Sequence, residues 1–425
     1  MKTIIILGDG MADNPVASLG NKTPLQYAKT PYMDLLARQG RTGRLVTVPE
    51  GYMPGSEVAN TAILGYDLDK VYEGRGPLEA ASIGYDMDPM DMAIRCNIIY
   101  VNDGKIITHN GGDLSTEDAG PLIELLNEKL AKPVNERMGR ECVKFIRGIQ
   151  YRHLLIINKG SKHIVCNPPH DHPNEEWRPL LVSPEKGYSQ AGDAAEQGRM
   201  TPQETADLLN ELILQSKSIL EAAPINVKRQ QEGKRLANII WPWSGGYRPS
   251  MKTLMQQYDS IKSGAVVSAV DLIQGIGKYA GLDIVKVDGA TGLWDTNYEG
   301  KTAAALNNLR EKDFVFLHVE ASDEAGHDGD VNLKVKTIEN LDARMIGPIY
   351  EEVKAWDEPV CIAVLPDHYT PVELRVHVGE PVPFIIYYPG IQPDDVQTYD
   401  EYTCVNGSYG ILRLRQFMET LSKAE

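Results

Sequence analysis

Four short sequences in the chain place metal-competent side chains beside a predicted buried strand. Asp9 follows the Ile-rich run Thr3 to Leu7. Asp367 and His368, in "PDH" from Pro366, follow the apolar run Val360 to Leu365. "EASDEAGH", Glu320 to His327, follows the run Asp313 to Val319. It offers Asp323 and His327 four residues apart, on one face of a helical turn. His377 stands just before "VGEPVPFIIYYP". Ligands of open α/β sheets bind outside the carboxyl ends of the strands, so residues this far apart in sequence can converge there. Carboxylates mixed with imidazoles suit Zn²⁺, Mn²⁺ and similar ions better than Ca²⁺, which prefers oxygen ligands alone. Each residue taken singly has a plainer reading as a turn, a helix cap or a surface ion pair. Their shared position at strand ends carries the weight.

The nucleophile candidate is Ser56, in "MPGSEVANTAILGYD". Pro54 and Gly55 make a turn. Val58, Ala59, Ala62 and Ile63 are then spaced for one face of a helix that Gly65 ends. Free backbone N–H groups and the helix dipole favour an anion at such a place. A serine here also reads as a helix cap, and its hydroxyl is a poor nucleophile unless a base or a metal activates it. Two metal ions would lower its pKa and neutralise phosphoryl oxygens.

The elements that must hold these residues are legible in outline. Thr3 to Leu7, 313–319, Val360 to Leu365 and Phe384 to Tyr388 read as buried strands, with helical stretches between several of them. Apolar strands alternating with helices indicate a mainly parallel sheet covered on both faces. Thr30 and Pro31 open a helix that Gly40 closes. From about Ser82 to Ser250 the strands are shorter and more mixed. Helices begin there at Ser115 and at Thr201, the second with a capping box through Glu204. The expected organisation is a core of residues 1–81 and 251–425 with a smaller α/β domain, 82–250, inserted into it.

Composition excludes several classes. The formal net charge of −16 argues against nucleic acid or an anionic membrane as partner, since phosphate backbones need clustered Lys and Arg. A small phosphorylated substrate stays compatible, because metal ions reverse the field locally. No apolar run is long enough to span a bilayer, and the opening "MKTIIILGDGMADN" reads as a first strand rather than a signal peptide. Five cysteines without a CxxC pair fit a reducing cytoplasm.

"GDGMAD", "KTPLQYAKTP", "PGSEVANTAILGYD", "GRGPLEAASIG", "RCN", "GATGLWDTNYEGK", "HVEASDEAGH" and "PDH" occur in this order. Together they resemble the cofactor-independent phosphoglycerate mutases of the archaeal type, in the alkaline phosphatase superfamily. The resemblance implies an alkaline-phosphatase-like core with an inserted second domain and two divalent ions, Mn²⁺ first, with Zn²⁺, Mg²⁺ or Co²⁺ as alternatives. It implies that Asp323, His327 and His377 hold one ion, and that Asp9, Ser56, Asp367 and His368 hold the other. The implied reaction converts 3-phosphoglycerate to 2-phosphoglycerate through phospho-Ser56, with the inserted domain keeping water out. Arg95, Arg152, His153, His170, Asp171 and Lys301 are the implied substrate contacts. His318, alternating inward in its strand, reads as core.

A branch of this family with "GDGMAD" near its start has been proposed to phosphorylate homoserine from ATP, and this chain looks close to it. No GxxxxGK[ST] loop speaks for ATP. A plain metallophosphatase, with water as acceptor, is a third reading, and a non-catalytic binding protein a fourth. The large insert argues against the phosphatase, and the intact set of seven ligand residues argues against the binding protein.

Overall fold

The structure, a computed structural model, describes residues 1–190 and 193–423. The chain divides into two compact units, Met1–Tyr72 with Ser250–Glu425, and Glu73–Pro249.

The first unit is built on an eight-stranded sheet. Its spatial order is Asp283–Val285, Gly264–Val267, Phe314–Val319, Lys2–Gly8, Val360–Leu365, Val382–Tyr387, Arg41–Val46 and Ile411–Arg413. The first five run parallel. Val382–Tyr387 is antiparallel to both its neighbours, so the sheet is mixed at one side. The three central strands, Phe314–Val319, Lys2–Gly8 and Val360–Leu365, are buried along almost their whole length. That is the cause of their high Ile, Val, Leu and Phe content: helices cover both faces, and a polar side chain such as His318 is kept only where it finds partners. Ile4, Ile6, Val315, Leu317, Ile362 and Val364 make one layer of the core, with Met33, Leu36, Leu309, Ile338 and Ile349 from the covering helices.

The register of the central strands aligns the loops that leave them. Gly8 pairs with Val319, and Leu7 with Leu365, so all three strands end at one level. The chain departs from each strand at that level with Asp9, Glu320 or Pro366.

The second unit has a wholly antiparallel five-stranded sheet. Asp91–Asn102 lies between Arg152–Asn158 and Ile239–Tyr247, and also pairs with Lys105–Thr108. Val143–Ile149 pairs with Arg152–Asn158. The helices Thr116–Leu126 and Pro202–Glu221 pack on it, burying Leu122, Leu209, Leu212 and Ile213 against Ile98, Leu155 and Trp241. The Thr201 hydroxyl accepts from the Glu204 N–H, and the Glu204 side chain reaches back, the capping box expected there.

The junction differs from the 81/82 position read from sequence. The second unit begins at Glu73, nine residues before Ser82. The helix Arg75–Ser82 therefore belongs to it: Ala80 packs with Met87, Ala93, Leu154 and Ile156. No change of composition marks that boundary, because the helix is apolar for the sheet it covers rather than for the chain segment it follows.

One polar network ties the loops at the strand ends together. Lys334, completely buried, donates to Asp13 Oδ2 at 2.7 Å, to the Thr370 carbonyl at 2.8 Å and to the Ala12 carbonyl at 3.2 Å. Asp13 also accepts from the Val372 N–H, while its own N–H donates to Glu401. A buried ion pair costs most when one partner is removed, because the other stays charged and desolvated. Asp13→Ala is expected to lower the unfolding free energy by about 3–5 kcal/mol in urea titrations. The double variant Asp13→Leu/Lys334→Met is expected to lose much less.

Candidate metal centre

Asp9 follows the strand Lys2–Gly8, and Asp367 and His368 follow its neighbour Val360–Leu365; on the other side, the Asp9 N–H donates to the Val319 carbonyl at the end of Phe314–Val319, at 2.9 Å. All three side chains are fully buried. Asp323 and His327 lie on the short helix Ala321–Asp328, one turn apart, as the spacing requires. Gly10 makes the close approach of these segments feasible. It has φ +58°, and a Cβ there would stand 2.5 Å from Asp323 Oδ1. Its N–H donates to Asp367 Oδ1 at 3.0 Å.

Ser56 begins the helix Ser56–Ile63 behind an N-cap of Gly55, so it is the first helical residue and not the cap. Its Oγ lies 3.3 Å from Asp9 Oδ2 and 3.3 Å from His368 Nε2. One turn on, Asn60 donates to the Ser56 carbonyl at 2.8 Å and to Asp367 Oδ2 at 2.9 Å, which holds the helix start against the loop carrying Asp367.

The donor atoms of Asp9, Asp367 and His368 lie within 4.8 Å of one another, and so do those of Asp323, His368 and His377. His327 Nε2 stands 3.3 Å from Asp323 Oδ2 and 2.8 Å from His377 Nε2. The seven residues named from sequence thus form one cluster, with the Ser56 hydroxyl beside Asp9 and His368.

The histidines are held in one sense. His327 Nδ1 donates to the Arg375 carbonyl at 3.0 Å, and His377 Nδ1 to the Pro54 carbonyl at 3.4 Å. His368 Nδ1 lies 3.2 Å from Thr370 Oγ1, whose own hydroxyl donates to Asp323 Oδ1. A carbonyl only accepts, so the proton sits on Nδ1 and each ring turns Nε2 inward. Three inward imidazole nitrogens beside three carboxylates, with Asp9 Oδ1 accepting no hydrogen bond among the described residues, fit divalent cations.

The charge balance agrees. Burial, then the Asp367 and Asp323 carboxylates, push the Asp9 carboxyl well above its usual range. Burial, then Glu324 and Asp323, raise Glu320 to about 8. Burial opposes ionisation of Asp323, but the imidazoles of His327 and His377 hold it well below the usual range. The hydrogen bond that His327 donates to Asp323 raises His327 to about 9. In the metal-free protein, protons therefore occupy part of the space that cations would neutralise.

The other residues named from sequence fall into two places. Lys301 lies in the first unit, buried, with Nζ 3.3 Å from the Thr291 carbonyl; burial lowers it to about 8, against the pull of Glu320. Arg95, Arg152 and His170 lie in the second unit along one aromatic strip. Arg95 stacks on Trp243 at 4.1 Å, with Nε 2.9 Å from Glu79 Oε1. His170 meets Trp243 at 5.0 Å and His109 at 6.1 Å, and His109 meets Tyr151, under Arg152. Asp171 is exposed, 3.7 Å from His170. His153 stands apart from them: it is buried, its Nδ1 accepts from the Gly148 N–H at 3.1 Å, and burial lowers it to about 3.

Sequence reading passed over Thr370, Asn60, His109 and Trp243. Thr370 and Asn60 were within reach, two residues past "DH" and one turn past Ser56. His109 and Trp243 carry no local signal.

The raised Glu320 and His327 groups set a pH dependence. Each binds its proton more tightly when folded, so the stability they contribute is present at low pH and is lost as pH rises, through about 8 and about 9. The metal-free protein is expected to lose melting temperature between pH 6 and 9. Mn²⁺ titration at pH 7.5, in buffers of different ionisation enthalpy, is expected to show net proton release.

The chain is similar to known proteins along its length. A sequence profile of 2,3-bisphosphoglycerate-independent phosphoglycerate mutase matches residues 37–226. A relative of that name from Methanosarcina acetivorans is 44% identical over 425 residues, covering all of both chains. A second, from Methanothermobacter thermautotrophicus, is 43% identical, covering 99% of this chain and 97% of its own. Among solved structures, a Pyrococcus horikoshii protein superposes with a TM-score of 0.78 at 30% identity, over 99% of this chain and 96% of that one. The cofactor-independent phosphoglycerate mutase of Thermoplasma acidophilum gives 0.67 at 25% identity, over 99% of each chain.

Proposed function

The chain belongs to the 2,3-bisphosphoglycerate-independent phosphoglycerate mutases, and from that premise we propose that it interconverts 3-phosphoglycerate and 2-phosphoglycerate through a phosphoserine at Ser56. The observation that carries the proposal is the Ser56 hydroxyl standing 3.3 Å from both Asp9 and His368, among the seven candidate ligands.

Asp323, His327 and His377 would hold one divalent ion, and Asp9, Ser56, Asp367 and His368 the other, with Mn²⁺ as the best candidate. Bound there, the ions would lower the pKa of the Ser56 hydroxyl and neutralise the phosphoryl oxygens. The rest is positioning by the chain. Ser56 Oγ attacks phosphorus, the bond to the 3-oxygen of the substrate breaks, and the departing glycerate hydroxyl needs the proton that Ser56 gives up. In the second half the 2-hydroxyl attacks, the Oγ–phosphorus bond breaks, and Ser56 recovers a proton. Asn60 keeps the nucleophile's helix turn fixed to Asp367 throughout. Orientation of reacting groups supplies most of the rate in such transfers. Arg95, Arg152 and His170 have the fork-shaped or imidazole donors that a substrate carboxylate or phosphate takes, and Lys301 is a cation of the first unit suited to the same charges.

The homoserine-phosphorylating alternative finds no support in the relatives, which carry the mutase name. The test is direct. Protein loaded with Mn²⁺ is given 3-phosphoglycerate, homoserine with ATP, or a generic phosphate ester. Formation of 2-phosphoglycerate is expected; ADP formed only with homoserine, or phosphate freed from every ester, overturns the proposal. Ser56→Ala is expected to lower kcat by at least about a thousand-fold, as loss of a nucleophile does elsewhere. A variant with full activity would remove the phosphoserine step.

A further inference from the structure

Four imidazoles surround the candidate centre with Nε2 inward, and one of them carries its proton on that inward nitrogen. His327, His377 and His368 each engage an acceptor through Nδ1 and face inward with Nε2. His318, the fifth residue of the central strand Phe314–Val319, is fully buried and has its Nε2 2.8 Å from Asp9 Oδ2. Its Nδ1 lies 3.1 Å from Ser268 Oγ. That hydroxyl also accepts the Val270 N–H at 3.0 Å and keeps its own hydrogen to give. Asp9 as a metal ligand is a carboxylate, which only accepts, so the proton of the His318 ring is on Nε2, aimed at Asp9, and Nδ1 accepts the Ser268 hydrogen. Ser268 is itself anchored, its carbonyl accepting from Gln274 Nε2 at 2.9 Å.

The consequence falls on Asp9. Its Oδ2 takes the His318 N–H and lies 3.3 Å from the Ser56 hydroxyl, while Oδ1 accepts no hydrogen bond among the described residues and stands 3.5 Å from His368 Nε2. One oxygen is engaged and the other is left open. We propose that His318, held as an Nε2–H donor by Ser268, is a positioning residue that fixes Asp9 as a one-oxygen ligand and so sets the affinity of the cation held by Asp9, Asp367 and His368. This rests on the reading of Asp9 as a metal ligand. Outer groups that hydrogen-bond a ligand orient it, and their loss typically weakens metal binding about 10–100-fold.

Mn²⁺ binding is measured calorimetrically on the full-length wild type, His318→Leu, His318→Gln, Ser268→Ala and Asp9→Asn, with melting temperature recorded for each. Glutamine carries an amide N–H at about the reach of Nε2, and leucine carries none. His318→Leu is expected to weaken one of two ions about 10–100-fold and leave the other within about two-fold. His318→Gln is expected to recover most of the loss. Ser268→Ala, the milder change if His318→Leu fails to fold, is expected to weaken the same ion. In Zn²⁺-loaded protein labelled with ¹⁵N-histidine, the His318 ring is expected in the Nε2–H form, a signal missing from His318→Gln, while that of His153, whose Nδ1 also accepts an N–H, is retained.

Wild-type affinity for both ions in His318→Leu overturns the proposal, as does glutamine performing no better than leucine, or equal weakening of both ions with a fallen melting temperature. Wild-type protein that binds fewer than two ions, or Asp9→Asn that binds both normally, overturns the two-ion reading itself and the role of His318 with it.

Discussion

Carboxyl groups that repel one another are gathered at the ends of adjacent parallel strands, and the rest of the first unit serves to hold them there. Asp9, Asp323 and Asp367 are buried within reach of one another, with Glu320 beside them. Desolvation and mutual repulsion both disfavour such a group, and a fold keeps it only where the framework is stable enough to impose it. The framework here is a set of buried, largely apolar central strands whose register ends them at one level. Burial of those strands stabilises the fold; their ends carry the cost.

Hydrogen bonds around the carboxylates decide which lone pairs stay available. Carbonyls of Arg375 and Pro54 orient two histidines, and the Thr370 hydroxyl joins His368 to Asp323, linking the two candidate ligand groups through one side chain. Lys334 ties the Thr370 carbonyl to Asp13 and Ala12, so the loops following the first strand and the strand Val360–Leu365 are cross-braced beneath the site. Asn60 does the same for the helix that presents Ser56. These contacts come from separate stretches of chain, and each closes on a backbone group or an acid that a water molecule would otherwise satisfy.

The second unit obeys different rules. Its sheet is antiparallel, and two arginines and a histidine are spaced along an aromatic strip, Arg95 and His170 on Trp243 and Arg152 over Tyr151, rather than collected at strand ends. Stacking keeps a guanidinium oriented while its donors stay free for an anion. Glu79 beside Arg95 shows that this orientation is also supported by charge.

The sequence alone determined the buried strands, because an unbroken apolar run has one stable home, and it determined the candidate ligands, because Asp and His directly after such runs are set at the sheet's carboxyl edge by the strand direction. Asp323 and His327 were legible as a pair, since four residues is one helical turn. The boundary at Glu73 was not, as a helix takes its allegiance from the sheet it packs on. Nor was the work of His318, which sits in an apolar strand and differs from a core residue only by meeting Asp9 across 309 positions of sequence. Residue types and local periodicity are properties of the chain; which nitrogen of a ring holds the proton, and which oxygen of a carboxylate is left open, depend on partners that only folding brings within about 3 Å.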